Sequence, residues 1–428
     1  HGQYVYPAGD VSRAMVINSG AFSGLNIEGN TLYNLRQPAY ISGTHTGTVQ
    51  NNYTYSTKGW VLEGGNLTFT GNTWGSGAQA NVYDIAILSA MPGGYYTDIV
   101  AMSNANNEAV IEDQRVGPAV LSVVYVDDSA PVCSDCGGRL QPYQSIGPAV
   151  TRVVAGGTIK VAAGTYAETV SIDKGLTLQC AQAGVPVGSR TAGSSAETII
   201  DASGLAKGII ITANNVKVDG CDVAGNSATY AGVQIYATLG TGNRSSVDVV
   251  NNFIHGMALP NPSSSAYVTS YGVFGLGDLN GGTRLTLTDV AIQGNAIYNL
   301  GGVVSGPDTS AGAGVWLYGV QGASPGLGAD VSGNTFDDIY SGLDGGVPEP
   351  GVGVAVIDDG DGVPDQGASI AGNSYSDTFS GVVTFIGNSS VAEAGANFSN
   401  VTLLALNVGN LATVNEATLA KYAKSDMP

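Results

Sequence analysis

Short runs in which apolar and polar residues alternate recur along the chain, and most of them end at a Gly-Asn or Asn-Asn pair. Alternation with period two describes a strand that buries one face, so each run predicts a strand of about five residues. Early in the sequence, LNIEGNTLYN, TVQNNYTYS and LTFTGNTWG align Asn30, Asn52 and Asn72, which are 22 and 20 residues apart. Later, VDVVNNFIHG, VAIQGNAIYN, ADVSGNTFDD and ASIAGNSYSD align Asn252, Asn295, Asn334 and Asn373, and VKVDGCDVAG puts Cys221 in the same column. A repeat of about 20 residues is one compact turn of a β-solenoid. The wider later spacing reads as the same turn carrying inserted loops such as PNPSSSAYVTSYG and VSGPDTSAGAG. Asparagine suits a sharp corner because it tolerates the left-handed backbone region, and its amide can bond the equivalent amide one turn on. The columns are therefore predicted to be structural ladders and not catalytic rows.

Between the two series, SIGPAVTRVVAGG (residues 145–157) breaks the alternation. Ile146, Val150, Val153 and Val154 have the spacing of one helical face, and paired glycines end it. A strand pattern, the phrase GTY and a second strand pattern follow in TIKVAAGTYAETVSIDKGLTLQ. This opening resembles the start of right-handed parallel β-helix domains of the pectin-lyase-like superfamily, over roughly residues 145–400. The resemblance implies an all-β, right-handed parallel β-helix with a cap helix near residues 145–155 and long inserted loops. It fixes fold better than chemistry.

The order of segments predicts rungs without their own cap at 1–118, a connector with a C-x-x-C at 119–144, a capped module at 145–405 and a tail at 406–428. The tail contains a candidate short helix near 412–425. Old rungs, a VYVDD connector and a fresh opening resemble the junctions of bacterial surface proteins built from consecutive β-helix modules. Uncapped rungs near AMVINSG and GVVTFIGNSS would leave open ends, which another copy could cover in a head-to-tail array. The alternatives are a first segment folded back beside the second, or a piece of a longer array.

Composition supports strands. The chain of 428 residues has 63 glycines and only 11% charged residues, too few for water-facing helices. Its formal charge of -19 opposes nucleic acid and polyuronates at long range. No run of 18 apolar residues spans a membrane, and HGQYVYPAGD lacks the order of a signal peptide, which suggests a processed form. Cys133, Cys136, Cys180 and Cys221 admit two disulfides, a zinc site or buried thiols. Cys180 and Cys221 fall on neighbouring turns one position out of register, and Cys133 with Cys136 would close a small loop.

The most pointed chemistry lies in VIDDGDGVPDQG, where Asp358, Asp359, Asp361 and Asp365 cluster as candidate calcium ligands. The loop resembles Asp-rich calcium loops of extracellular repeats, although Pro364 stands where an EF-hand needs glycine and no Glu fills its twelfth position. A solvated acidic turn is the alternative. Asp338 and Asp377 each follow a ladder Asn by four residues, so stacking would bring them about 5 Å apart, as for a shared proton, a cation or glycoside hydrolysis. Only IHG at His255 matches any hydrolase pattern of this fold. Lys160, Lys174, Lys207, Lys217, Arg190, Arg244 and Arg284 are scattered, which disfavours a lyase base. His1 with His45 has the makings of a copper brace, six Asn-x-Ser/Thr sites permit glycosylation, and GGYYTDI and YGVFGLG offer aromatic faces for sugars. The expected function is an extracellular, self-associating structural or adhesive solenoid. A glycan-active enzyme or carbohydrate-binding module on the same scaffold is the alternative.

Overall fold

The computed structural model describes residues 12–385 and 397–398, apart from 134–135, 238–239, 241, 260–269, 278, 281–282, 303, 306–307, 325, 341, 345–346, 350, 358–366 and 377–379. Two compact units divide the chain, His1–Ala162 and Ala163–Pro428. Each is an all-β stack of mostly parallel strands, as the alternation requires.

In the first unit, Arg13–Ile17, Gln37–Ile41, Trp60–Leu62, Ile85–Ile87 and Ile111–Asp113 pair in parallel, one turn after another. A second face stacks Leu25–Glu28, Thr46–Gln50 and Asn66–Thr70. A third stacks Thr31–Leu35, Tyr53–Thr57 and Thr73–Trp74. The register superposes Ile27, Val49 and Phe69 on one inner face and Ile41, Leu62 and Ile87 on another, all buried. Each such side chain contributes about 1.5–3 kcal/mol by leaving water. The parallel order then breaks: Val120–Val126 joins Ile111–Asp113 antiparallel, and Val153–Val161 joins Val120–Val126 in parallel.

Among its described residues this unit has two α-helices. The first, α1 (Ile99–Asn104), begins at Asp98, whose carboxylate accepts the Ala101 N–H at 2.8 Å as an N-cap. The second, α2 (Ile146–Arg152), is the helix expected near residue 145, and it buries Ile146, Ala149 and Val150. It packs on Val120–Val126 and Val153–Val161. Val153 and Val154, assigned from their spacing to the helix face, begin the following strand instead. Their β-branched side chains favour that outcome.

In the second unit one face stacks Leu176–Gln179, Val216–Asp219, Arg244–Val250, Leu287–Gln293, Ala329–Ser332 and Ala368–Ala371. The next runs from Gly164–Tyr166 through Thr198–Asp201, Asp222–Ala224, Phe253–His255, Ala296–Leu300 and Thr335–Ile339 to Ser374–Tyr375 and Asn397–Phe398. The third runs from Val170–Ile172 through Lys207–Ile211, Ala231–Tyr236, Ser270–Leu276, Gly312–Tyr318 and Val352–Ile357 to Ser380–Phe385. In-register columns of Ile200, Val223, Ile254, Ile297, Phe336 and Tyr375, and of Val218, Val249, Ile292, Val331 and Ile370, fill the interior. The long spacings are explained by insertions: the strands Val304–Ser305, Asp308–Thr309, Gly342–Asp344 and Val347–Glu349 form an antiparallel sheet outside the rungs.

Candidate functional site

The predicted asparagine columns form two hydrogen-bonded ladders. In the first unit the Asn52 Oδ1 accepts both the backbone N–H (3.0 Å) and the side-chain amide (2.9 Å) of Asn30. Asn52 donates in the same way to Asn72, and Asn72 to Asn106. Asn106 escapes the sequence pattern because α1, not a strand, leads into its corner. In the second unit the Cys221 N–H donates to the Asn252 Oδ1 at 2.8 Å, and Asn252, Asn295 and Asn334 each donate twice to the next member, ending at Asn373. Asn52, Asn72, Asn106, Asn252, Asn295, Asn334 and Asn373 are buried.

At every ladder corner but that of Asn106, where Ala105 is right-handed, the left-handed residue is not the ladder member, as expected, but the residue before it. Gly29, Asn51, Gly71, Gly220, Asn251, Gly294, Gly333 and Gly372 have φ between 55° and 75°. This explains why the pattern is Gly-Asn or Asn-Asn: the first member turns the chain, and the second bonds along the stack. A second left-handed position falls four residues after the ladder asparagine, at Asn34 and Ser56 in the first unit and at Asn299 and Asp338 in the second. Asp338 is therefore a corner residue among Asn and Ser equivalents. Its suggested partner Asp377 lies outside the described residues, as do the candidate calcium ligands Asp358, Asp359, Asp361 and Asp365, the tail helix near 412–425 and His1.

The zinc reading of the cysteines is overturned, because they form the disulfides Cys133–Cys136 and Cys180–Cys221. Among the described residues no group of three or more His, Cys, Asp and Glu is placed to hold a metal ion. His45 is buried, stacks on Phe22 and accepts the Phe22 N–H on Nδ1 at 3.1 Å.

A polar cluster in the second unit surrounds His255. The Asp222 carboxylate, buried in the wall, accepts the Gly193 N–H at 2.6 Å and lies 2.9 Å from the His255 Nε2. The imidazole stacks on Tyr298, with centroids 4.8 Å apart and planes within 7°. Burial, with a further push from the Asp222 charge, raises the Tyr298 phenol to about 12. The register places Phe253 and Ala296 beside Asp222, and Ala224 and Tyr298 beside His255, so no Ser, Cys or Lys nucleophile adjoins the pair along these columns. Held this way, the imidazole ties three rungs together.

Arg190 acts nearby through the backbone. Its guanidinium pairs with the buried Glu197, lies 4.8 Å from the Phe253 ring, and donates to the carbonyls of Gly220 and Asn251, both left-handed corner residues. Lys160 pairs with Glu108 and Lys217 with Asp219, while the Lys207 ammonium lies 5.2 Å from the Tyr230 ring. Tyr96 of GGYYTDI is largely internal: its hydroxyl accepts the Leu67 N–H at 3.0 Å, and burial raises it to about 12. Tyr271 and Phe274 of YGVFGLG stack on each other at 4.5 Å. The clearest outward aromatic row, Tyr33 stacked on Tyr55 at 4.9 Å beside the exposed Tyr53, was not singled out by pattern.

Among the described residues no helix is long and apolar enough to cross a membrane. No known protein-family model matches this chain, and no curated protein matches it in sequence.

Proposed function

We propose that this is an extracellular structural or adhesive solenoid that stacks head to tail with copies of itself. The observation that carries the reading is the direction of the ladders: the inner corner amides, Asn52, Asn72, Asn252, Asn295 and Asn334, accept from the preceding rung and donate to the following one. The two sides of a rung therefore differ and are mutually complementary, which suits a heterologous contact and disfavours a like-to-like one. Among the described residues Arg13–Ile17 pairs on one side only, with Gln37–Ile41, and Val16 is 54% exposed. Two disulfides suit an oxidising compartment. The resemblance to pectin-lyase-like modules of bacterial surface proteins supports the same location, and Asp358, Asp359, Asp361 and Asp365 remain its candidate calcium ligands.

Neighbouring residues of a strand direct their N–H groups to opposite edges, so of Met15→Pro and Val16→Pro one removes an outward donor and the other an inward one. Electron microscopy at rising concentration should show regular fibres for the wild type. One of the two proline variants should stay monomeric with an unchanged melting temperature. A wild type that remains monomeric at every concentration, or two variants that both form fibres, refutes the assembly.

A further inference from the structure

The first unit holds a cavity of about 440 Å3 lined by residues of several successive turns. Its floor is the column Tyr40, Val61 and Ala86, which alternates with the core residues Ile41, Leu62 and Ile87 and so faces away from them. Arg13, Arg36 and Lys58 line the same space, three of the 15 basic residues in a chain of charge -19. The Lys58 N–H donates to the Arg36 carbonyl at 2.9 Å, so the two side chains leave adjacent turns about 5 Å apart. The Arg13 guanidinium sits 5.1 Å from the Tyr40 ring centroid and donates to the Gln37 amide oxygen. Among the described residues neither Arg13 nor Arg36 has a carboxylate within ion-pair distance. The one acid in the lining, Glu112, is held by Arg152 at 3.1 Å and takes the Gln114 amide at 2.7 Å. Positive charge is thus concentrated where it raises its own energy, and a bound anion relieves it.

The size is that of a pocket for a ring-bearing ligand, far larger than an inorganic anion. Val61, Val82 and Leu88 offer apolar surface to a ring, and the Gln37 amide nitrogen and the Gln141 amide offer hydrogen bonds to hydroxyls. Three cations match the three terminal oxygens of a tetrahedral ester, where a planar carboxylate has only two. We propose that this cavity binds a sugar carrying a tetrahedral oxyanion ester, sulfate or phosphate. The site shares Arg13 with the end strand Arg13–Ile17, but its ligand binding does not require the assembly reading.

Isothermal titration calorimetry on the full chain tests it with galactose 6-sulfate, glucose 6-phosphate, galactose, galacturonate and inorganic sulfate. One or both esters should bind at least tenfold more tightly than the other three, and the better ester names the source. Arg36→Gln should weaken that binding tenfold or more while the melting temperature stays within a degree or two of wild type, as loss of one charge-assisted bond requires. If Arg36→Gln unfolds the unit, Arg13→Gln, at an exposed position, decides with the same criterion. Equal binding of galactose or inorganic sulfate, tighter binding of galacturonate, or ester affinity unchanged in a folded variant overturns the proposal.

Discussion

Replacing Asn295 by alanine tests the claim that the ladders hold the second unit together. The side chain makes four hydrogen bonds that alanine cannot: its oxygen accepts from the Asn252 N–H (2.9 Å) and amide (3.1 Å), and its nitrogen donates to Asn334 Oδ1 (3.0 Å) and the Val249 carbonyl (2.8 Å). Two partners keep other bonds, since Asn252 still donates to the Val218 carbonyl and the backbone N–H of residue 295 still reaches Asn334. The Asn252 N–H loses this acceptor inside the wall. At about 1 kcal/mol for each of the two bonds whose partners keep another and 1–3 kcal/mol for the Asn252 N–H left unpaired, the expected loss is about 4 kcal/mol. Asn295→Asp should not rescue it, because a carboxylate would face the Asn334 and Val249 oxygens. The exposed Asn30 gives the contrast, with a loss under about 1 kcal/mol on Asn30→Ala because water replaces its partners. Urea unfolding followed by fluorescence reads both, through Trp316 in the second unit and Trp60 and Trp74 in the first. Exchange of the Asn252 amide hydrogen should quicken in Asn295→Ala. A loss below about 1 kcal/mol, equal to that of Asn30→Ala, would show that the buried ladder adds nothing beyond strand pairing.

Two further outcomes follow from the same walls. The Cys180–Cys221 bridge spans 41 residues and Cys133–Cys136 only 3, so Cys180→Ser/Cys221→Ser should cost about 4 kcal/mol and Cys133→Ser/Cys136→Ser about 1.5 kcal/mol by loop-closure entropy, read by the same unfolding assay. Four free thiols under non-reducing conditions would refute the pairing. For pH, burial pulls the Asp219 carboxyl up, but the Gly184 N–H, Asn251 and Lys217 outweigh it and leave it below its usual value. Its contribution is then fully present above the ordinary Asp value of about 3.9 and is lost as pH falls through the lower folded value. Melting temperatures between pH 2 and 6 should drop less steeply in Asp219→Asn than in wild type, and identical acid slopes would contradict the assignment.

The stacked architecture was legible because two periodicities coincide: alternation within a strand, and a Gly-Asn or Asn-Asn corner after it. Cys221 could be placed in its column by the same logic. Corners also explain what misled. Asp338 has the carboxyl group that suggests chemistry, yet its neighbour in the column, Asn299, and the equivalent Asn34 and Ser56 of the first unit show that the position selects for left-handed backbone. Asn106 was hidden behind a helix, and Val153 and Val154 had helical spacing on a strand. Arg13, Arg36 and Lys58 carry no pattern in the sequence because they are 23 and 22 residues apart, and only the register of successive turns brings them to one cavity. Net charge describes the whole molecule and hides such a local reversal.

The covalent link between Cys180 and Cys221 gives the second unit a mechanical polarity. Under tension the turns beyond it can peel away one at a time, each yielding its stored length, but the loop it closes cannot open. About 140 Å of contour, the reach of 41 extended residues, stays locked at that end until a reductant arrives. Load tolerance is thereby tied to the redox state of the surroundings.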